Sequence, residues 1–257
     1  MAEATKNPLK SRLAAGKLSI GGWLTTGSPQ IAEAMASLGF DWLALDMEHG
    51  SADISQAEAV FVAAERHGVV PLARISGQHR DLARRLLDLG AGGLIVSTVE
   101  SAADFREFAL SCQYPPAGRR GVGLSRCNRW GDDFGPYMNK FQPLLVPQIE
   151  TRAGVNAAAD IAAEKSVDAL FLGPYDLSCD LGHPGDFDVP AVMDAIQSVK
   201  TACRENGKAV GIHQVEPDAG ALQGRIDDGF TFVAYCTDII AMRGALGGIR
   251  SITGSTS

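Results

Sequence analysis

The chain has 257 residues, of which 46% are hydrophobic, and a formal net charge of −7. That length suits one domain with a large core, and the acidic balance, with no Lys/Arg-rich block, argues against nucleic acid as a partner. No apolar run approaches the roughly 18 residues of a membrane span, and the opening MAEATKNPLK lacks the apolar centre of a secretory signal, so a cytoplasmic protein with no membrane partner is expected.

In chain order, Asn7-Pro8 followed by LKSRLAA predicts a capped helix, with Pro8 at the first helical position, covering the bottom of the fold. Eight short apolar runs then follow: LSIGGWL (18–24), DWLALD (41–46), VVPLARI (69–75), GGLIVST (92–98), PLLVPQI (143–149), DALFLG (168–173), KAVGIH (208–213) and FTFVAY (230–235). Between them lie segments with helical spacing of apolar residues, such as 29–39, 54–68, 79–90, 157–164 and 189–207, several closed by glycine. Strict alternation of strand and helix implies parallel strands with right-handed crossovers, and eight such units close into an α/β fold of the (β/α)8 TIM barrel type. A single domain over 1–257 is expected, with flexible ends at 1–6 and 249–257. The connection 112–142, rich in glycine and proline, is long for a loop without a function. The five cysteines are odd in number, scattered and never spaced C-x-x-C, which points to reduced thiols rather than disulfides or a zinc site.

Barrel enzymes place their chemistry where strands end at the C-terminal face. The residues just past each run are Trp23 after the first, Asp46, Glu48 and His49 after the second, and Arg74 after the third. Gln148 and Glu150 follow the fifth, Asp176 the sixth and His213 the seventh. A Schiff-base enzyme needs a desolvated lysine near this face, and none fits: Lys140 precedes the fifth run and Lys208 opens the seventh, both toward the bottom. Glu150 and Asp176 end neighbouring strands and offer two hard oxygen ligands, suited to Mg²⁺ or Mn²⁺ with positions open to water and substrate. Zinc is disfavoured because this pair lacks its preferred His and Cys ligands.

The segments GGWLTTGSP (21–29), GFDWLALDMEHG (39–50), LAR (72–74), LLDLGAGGLIV (86–96), YPPAGRRGVG (114–123), RWG (129–131), VPQIET (146–151), LFLGPYDLSCDLG (170–182) and GKAVGI (207–212) span nearly the whole chain in order. In these segments the chain resembles the class II pyruvate aldolases of the 4-hydroxy-2-oxoheptanedioate and 2-dehydro-3-deoxyglucarate aldolase type. The resemblance implies reversible cleavage of a 2-oxo-4-hydroxy acid into pyruvate, or a related oxo acid such as hydroxypyruvate, and an aldehyde.

The same resemblance implies that Glu150 and Asp176 hold a divalent metal ion (Mg²⁺, Mn²⁺ or Co²⁺), which stabilises an enolate. Arg74 would bond the keto oxygen, His49, oriented by Asp46, would be the general base, and Gln148 would position water or substrate. Backbone around Gly173, Pro174 and Asp176 would receive the pyruvate carboxylate. Glu48 would order water or structure its loop. Trp23 would line the substrate pocket. His213 departs from the family pattern, standing where an apolar residue often lines the aldehyde pocket, and with Arg126 of the long connection nearby it would suit a hydroxylated or carboxylated aldehyde. The resemblance further implies a homo-oligomer, a hexamer built as a trimer of dimers, in which the apolar segment 237–248 meets a partner and Asp88 reaches a neighbouring site. Competing expectations are a citrate-lyase-like or phosphoenolpyruvate-type carbon–carbon lyase, for which no basic or Gly-rich cluster is evident, and a metal-dependent oxo-acid binder, which would have no use for Asp46 and His49.

Overall fold

The computed structural model describes residues 7–253. Its eight strands are β1 (Ser19–Leu24), β2 (Trp42–Asp46), β3 (Val70–Ile75), β4 (Gly93–Val96), β5 (Leu144–Ile149), β6 (Ala169–Leu172), β7 (Ala209–Gln214) and β8 (Phe232–Thr237). Each pairs in parallel with its sequence neighbours and β8 returns to β1, so the expected TIM barrel closes in chain order. The helices are α1 (Pro8–Ala14), α2 (Pro29–Ala36), α3 (Ile54–Arg66), α4 (Arg80–Asp88), α5 (Ala102–Cys112), α6 (Phe134–Lys140), α7 (Arg152–Ala163), α8 (Pro174–Asp180), α9 (Pro190–Glu205), α10 (Ala219–Asp227), α11 (Asp238–Leu246) and α12 (Ile249–Thr253). No helix among the described residues is long and apolar enough to cross a membrane.

Two apolar layers sit on opposite faces of the sheet. Along β2, Trp42 and Ala44 belong to the cluster inside the barrel, whereas Leu43 and Leu45 pack outward against the helices. A strand sends alternate side chains to opposite faces, so Asp46 follows Trp42 and Ala44 inward. The same parity carries Arg74 in behind Leu72, Gln148 and Glu150 behind Leu144 and Val146, and His213 behind Ala209. Glycine accommodates the largest interior ring: a Cβ on Gly21 would lie 2.0 Å from the Trp42 indole. The bottom is plugged as expected by α1, whose Leu9 and Leu13 join the interior cluster, with Pro8 at its first turn and Asn7 accepting the Leu9 N–H at 3.1 Å.

Three expectations change. Strand eight lies at 232–237 rather than 230–235, because Phe230 is buried in the outer, helix-facing layer and the Thr231 N–H bonds the Val210 carbonyl before the ladder begins. Residues 249–253, expected to be part of a frayed tail, form α12; 1–6 and 254–257 lie outside the described residues. The long connection is not structureless, since it contains a short 3-10 turn (Arg126–Gly131) and α6. It joins the end of α5 to the start of β5 and therefore lies at the barrel's N-terminal end, away from the catalytic face of its own barrel.

Candidate active site

Asp46, at the end of β2, is 2% exposed and organises the rim. Its Oδ1 receives the Arg74 Nε–H at 3.0 Å, and its Oδ2 receives the Arg74 Nη2–H and the Trp23 indole N–H, the latter at 3.2 Å. The backbone N–H groups of Glu48 and His49 also donate to Oδ1, at 3.0 and 3.1 Å. Burial disfavours its charge, but Arg74, the His49 N–H and the Trp23 indole more than offset this and hold the carboxyl below its ordinary pKa. This corrects the expected Asp46–His49 pair. Asp46 holds the His49 backbone and the Arg74 guanidinium, while the His49 imidazole stands exposed on the rim.

Arg74 is clamped from a second side by Glu48, whose Oε2 lies 3.4 Å from Nη1. Glu48 is itself anchored through Oε1 by the Ser97 hydroxyl at 2.6 Å, and Ser97 Oγ accepts the Gly77 N–H at 3.2 Å. Of the five guanidinium N–H groups, three thus face Asp46 and Glu48, leaving two for a ligand. The Arg74 Cζ also sits 5.1 Å over the Trp23 ring, which stacks on His213 at 4.7 Å and on Phe171 at 5.8 Å.

Across the rim, Glu150 is 6% exposed. Its Oε1 takes both the N–H and the hydroxyl of Thr98, at 2.7 and 2.8 Å, and its Oε2 takes the Gln148 amide. Burial pushes the Glu150 pKa up and the negative Asp176 adds to this, against the opposing bonds from Thr98 and Gln148. Thr98 reaches Glu150 only by adopting a φ of +53°, a conformation that costs a β-branched residue about 1–3 kcal/mol. Gly173 passes so close that a Cβ there would lie 2.6 Å from Glu150 Oε2.

Among the described residues no ready cluster of three or more His, Cys, Asp and Glu forms a metal centre. The residues nonetheless fit a divalent ion. Gln148 Oε1 is buried without a partner beside Glu150. Asp46 and Glu48 already pair with Arg74, whereas Glu150 feels the negative Asp176 and has no cationic partner among its bonds, so a cation would relieve a buried carboxylate whose charge burial disfavours. One or two carboxylates plus substrate oxygens are the usual setting of Mg²⁺.

Trp23, Arg74, Gln148, Phe171, Pro174, Asp176 and His213 line a cavity of about 90 Å³, together with Leu172, Gly173, Tyr175 and Val215. His213 is partly buried; its Nε2 lies 3.3 Å from the Cys236 carbonyl, and burial with Arg74 nearby lowers its pKa to about 4. The Gly173 N–H is committed to the Ile149 carbonyl at 3.1 Å and Pro174 has none, which corrects the expectation that this turn offers its Gly173 amide; the N–H groups of Tyr175 and Asp176, in the first turn of α8, lack intrahelical acceptors. The rim is closed between β8 and β1 by Asp238, whose carboxylate takes the N–H and hydroxyl groups of Thr25 and Thr26 at 2.7 to 3.1 Å.

Two further residues lie at the barrel's N-terminal end, one of them against expectation. Arg126 pairs with Glu65 and donates to the Leu89 carbonyl at 2.7 Å, at the N-terminal end of the barrel, so it is not near His213. Asp88 ends α4 at that same end and pairs with the buried Arg120 at 2.6 Å. Ser97, Thr98 and Asp238 are site residues that the sequence reading does not single out. The GGLIVST run ends in two hydroxyls whose strand parity gave a usable signal, whereas nothing local in TD at 237–238 announces a clamp on the β1 loop.

The family described as HpcH/HpaI aldolase/citrate lyase matches residues 19–245. A hydroxypyruvate/pyruvate aldolase of Roseobacter denitrificans is 34% identical over 240 residues, covering 92% of this chain and 93% of that one. A 5-keto-4-deoxy-D-glucarate aldolase of Escherichia coli is 37% identical over 243 residues, covering 93% of each. The crystal structure of an HpcH/HpaI aldolase/citrate lyase family protein from Burkholderia cenocepacia superposes with a TM-score of 0.88 at 32% identity, covering 95% of this chain and all of that one. With the match running from the first strand to the helix after the last, the chain belongs to the HpcH/HpaI aldolase/citrate lyase family.

Proposed function

We propose that this protein is a metal-dependent aldolase that reversibly cleaves a 2-oxo-4-hydroxy acid into pyruvate, or hydroxypyruvate, and an aldehyde. The observation that carries the reading is Arg74, held by Asp46 and Glu48 with two N–H groups to spare, lining the same small cavity as Asp176 and across the rim from Glu150. The aldolases named among its relatives support it. Lys208 and Lys10 are tied down at the barrel bottom, by the Val167 carbonyl and by Asp168, and no lysine lines the cavity among the described residues, which disfavours a Schiff base.

Glu150 and Asp176 would hold the divalent ion, with Mg²⁺, Mn²⁺ and Co²⁺ as candidates; when bound it supplies Lewis-acid stabilisation of negative charge on the oxo acid. The N–H groups of Tyr175 and Asp176 receive the carboxylate of the oxo acid. Arg74 donates to its keto oxygen, where charge grows as the carbon–carbon bond breaks. His49, exposed on the rim, takes the proton of the substrate's 4-hydroxyl as that carbon becomes the aldehyde carbonyl, and Gln148 positions the oxo acid. Trp23 and Phe171 form the apolar wall that shields the enolate, which ends as pyruvate when His49 returns the proton it took, to carbon three. The protein works as a homo-oligomer, a hexamer built as a trimer of dimers, in which a second copy covers the exposed apolar side chains Met242 and Leu246 of α11 and Ile252 of α12. In that assembly Asp88 borders a neighbour's site.

The test is exchange of pyruvate methyl protons with deuterated water, followed by NMR with no aldehyde present. Exchange that requires a divalent ion and stops on chelation is expected, as is pyruvate release from 2-oxo-4-hydroxy acids. Full activity in excess chelator, or a borohydride-trapped pyruvate adduct on lysine, would refute the reading.

A further inference from the structure

His213 lines the cavity with Trp23, Arg74, Phe171 and Asp176. Its Nε2 lies 3.3 Å from the Cys236 carbonyl and 3.4 Å from Thr237 Oγ1. A carbonyl only accepts, so the first contact is a hydrogen bond when Nε2 carries the ring proton. The carbonyl is presented by unusual backbone: Cys236 has a φ of +67°, in the left-handed region that non-glycine residues seldom adopt. The ring cannot swing freely, because it stacks on Trp23 at 4.7 Å, and Trp23 is itself tied to Asp46. Burial keeps the imidazole neutral, with a pKa of about 4. A neutral ring protonated at Nε2 has a bare lone pair at Nδ1. Both hydrogen-bond contacts of the ring to described residues are made at Nε2.

We propose that His213 selects the aldehyde partner: Nδ1 accepts a hydrogen bond from a hydroxyl group of the aldehyde, so the site favours short hydroxyaldehydes over alkyl aldehydes. A bare lone pair repels a carboxylate oxygen, so an aldehyde whose polar end is only a carboxylate is disfavoured as well. Within its own chain Arg126 does not reach His213, since it is bonded to Glu65 and to the Leu89 carbonyl at the other end of the barrel. The inference rests on the aldolase reading above and deepens it by naming the class of acceptor.

The experiment compares kcat/KM for glyceraldehyde, propanal and succinic semialdehyde, with pyruvate and a divalent ion, in the wild type, His213→Leu and His213→Gln. The wild type should favour glyceraldehyde over propanal by about 10-fold, the worth of one neutral hydrogen bond. His213→Leu should bring that ratio near one, and His213→Gln, whose amide carries a donor and an acceptor, should retain part of it. Nitrogen NMR of the wild type should show the proton on Nε2. A wild-type ratio near one, a ratio unchanged in His213→Leu, a preference for succinic semialdehyde over glyceraldehyde, or a proton on Nδ1 overturns the assignment. Should His213→Leu fail to fold, the wild-type ratio, the tautomer and a Gln ratio no lower than half the wild type's decide, a fall to one in the Gln variant counting against the proposal. Metal-dependent proton exchange of pyruvate by the wild type separates the two readings: its absence refutes the aldolase, whereas its presence with a flat aldehyde ratio refutes only the role of His213.

Discussion

Arg74→Lys and Arg74→Ala should part company in stability while converging in activity. Arg74 pairs with a carboxylate that is 2% exposed, and removing one partner of a buried pair costs about 3–5 kcal/mol. Asp46 keeps three other donors, the backbone N–H groups of Glu48 and His49 and the Trp23 indole, so Arg74→Ala should cost about 3 kcal/mol, the lower end of that range. Lysine retains the charge but loses the two-pronged bond, and should cost about 1–2 kcal/mol. Activity follows a different rule. An ammonium that replaces the Arg74 bonds to Asp46 cannot also present a planar fork to the keto oxygen, so both variants should lose on the order of 10²-fold or more in pyruvate proton exchange. Urea unfolding measures the first quantity, and methyl proton loss in deuterated water, followed by NMR, measures the second. If Arg74→Lys exchanges protons at the wild-type rate, Arg74 does not stabilise the enolate. Equal stability of the Lys and Ala variants would show that the bidentate Asp46 pair contributes little.

Glu150→Gln and Asp176→Asn should each weaken Mg²⁺ or Mn²⁺ binding by 10-fold or more in calorimetry, because each removes a charged oxygen ligand; unchanged affinity would move the ion elsewhere. His49→Ala should lower turnover by roughly 10²-fold with metal affinity nearly intact, and a parallel loss of metal binding would make His49 a ligand instead of a base. Gly173→Ala places a Cβ 2.6 Å from Glu150 Oε2 and should displace that carboxylate, weakening metal binding without unfolding the barrel; wild-type affinity in this variant refutes the close approach. The His213 imidazole stays neutral to about pH 4, whereas in the unfolded chain it takes a proton below about 6.5. Its contribution to stability is therefore full above pH about 6.5 and is lost as pH falls toward 4, by on the order of 3 kcal/mol, and urea midpoints across that range should fall less steeply in His213→Leu.

The order of elements was legible in the sequence because a β/α barrel is built from local signals repeated eight times: apolar runs of period two, helical stripes, and glycine or proline at the boundaries. Knowing that active sites crown the strand ends then selected Asp46, Arg74, Gln148, Glu150, Asp176 and His213 without coordinates, and strand parity places five of these inside the barrel. Strand order also puts Lys208 at the opening of β7, where the structure ties it to the Val167 carbonyl at the barrel bottom. What it left open was pairing between strands. Proximity in sequence pairs Asp46 with His49, three residues away, but its oxygens bond the guanidinium of Arg74, 28 residues on, because Asp46 and Arg74 are register partners on adjacent strands. Thr98 reaches Glu150 across 52 residues, and Asp238 reaches Thr25 across 213, through contacts that exist only once β4 meets β5 and β8 meets β1. Arg126 illustrates the reverse error: it lies in a segment that ends at the start of a strand, and chain direction therefore sends it to the opposite end of the barrel from His213. Sequence periodicity reports which face a side chain takes, but a hydrogen bond depends on which strands the closed sheet sets side by side, and barrel closure alone decides that.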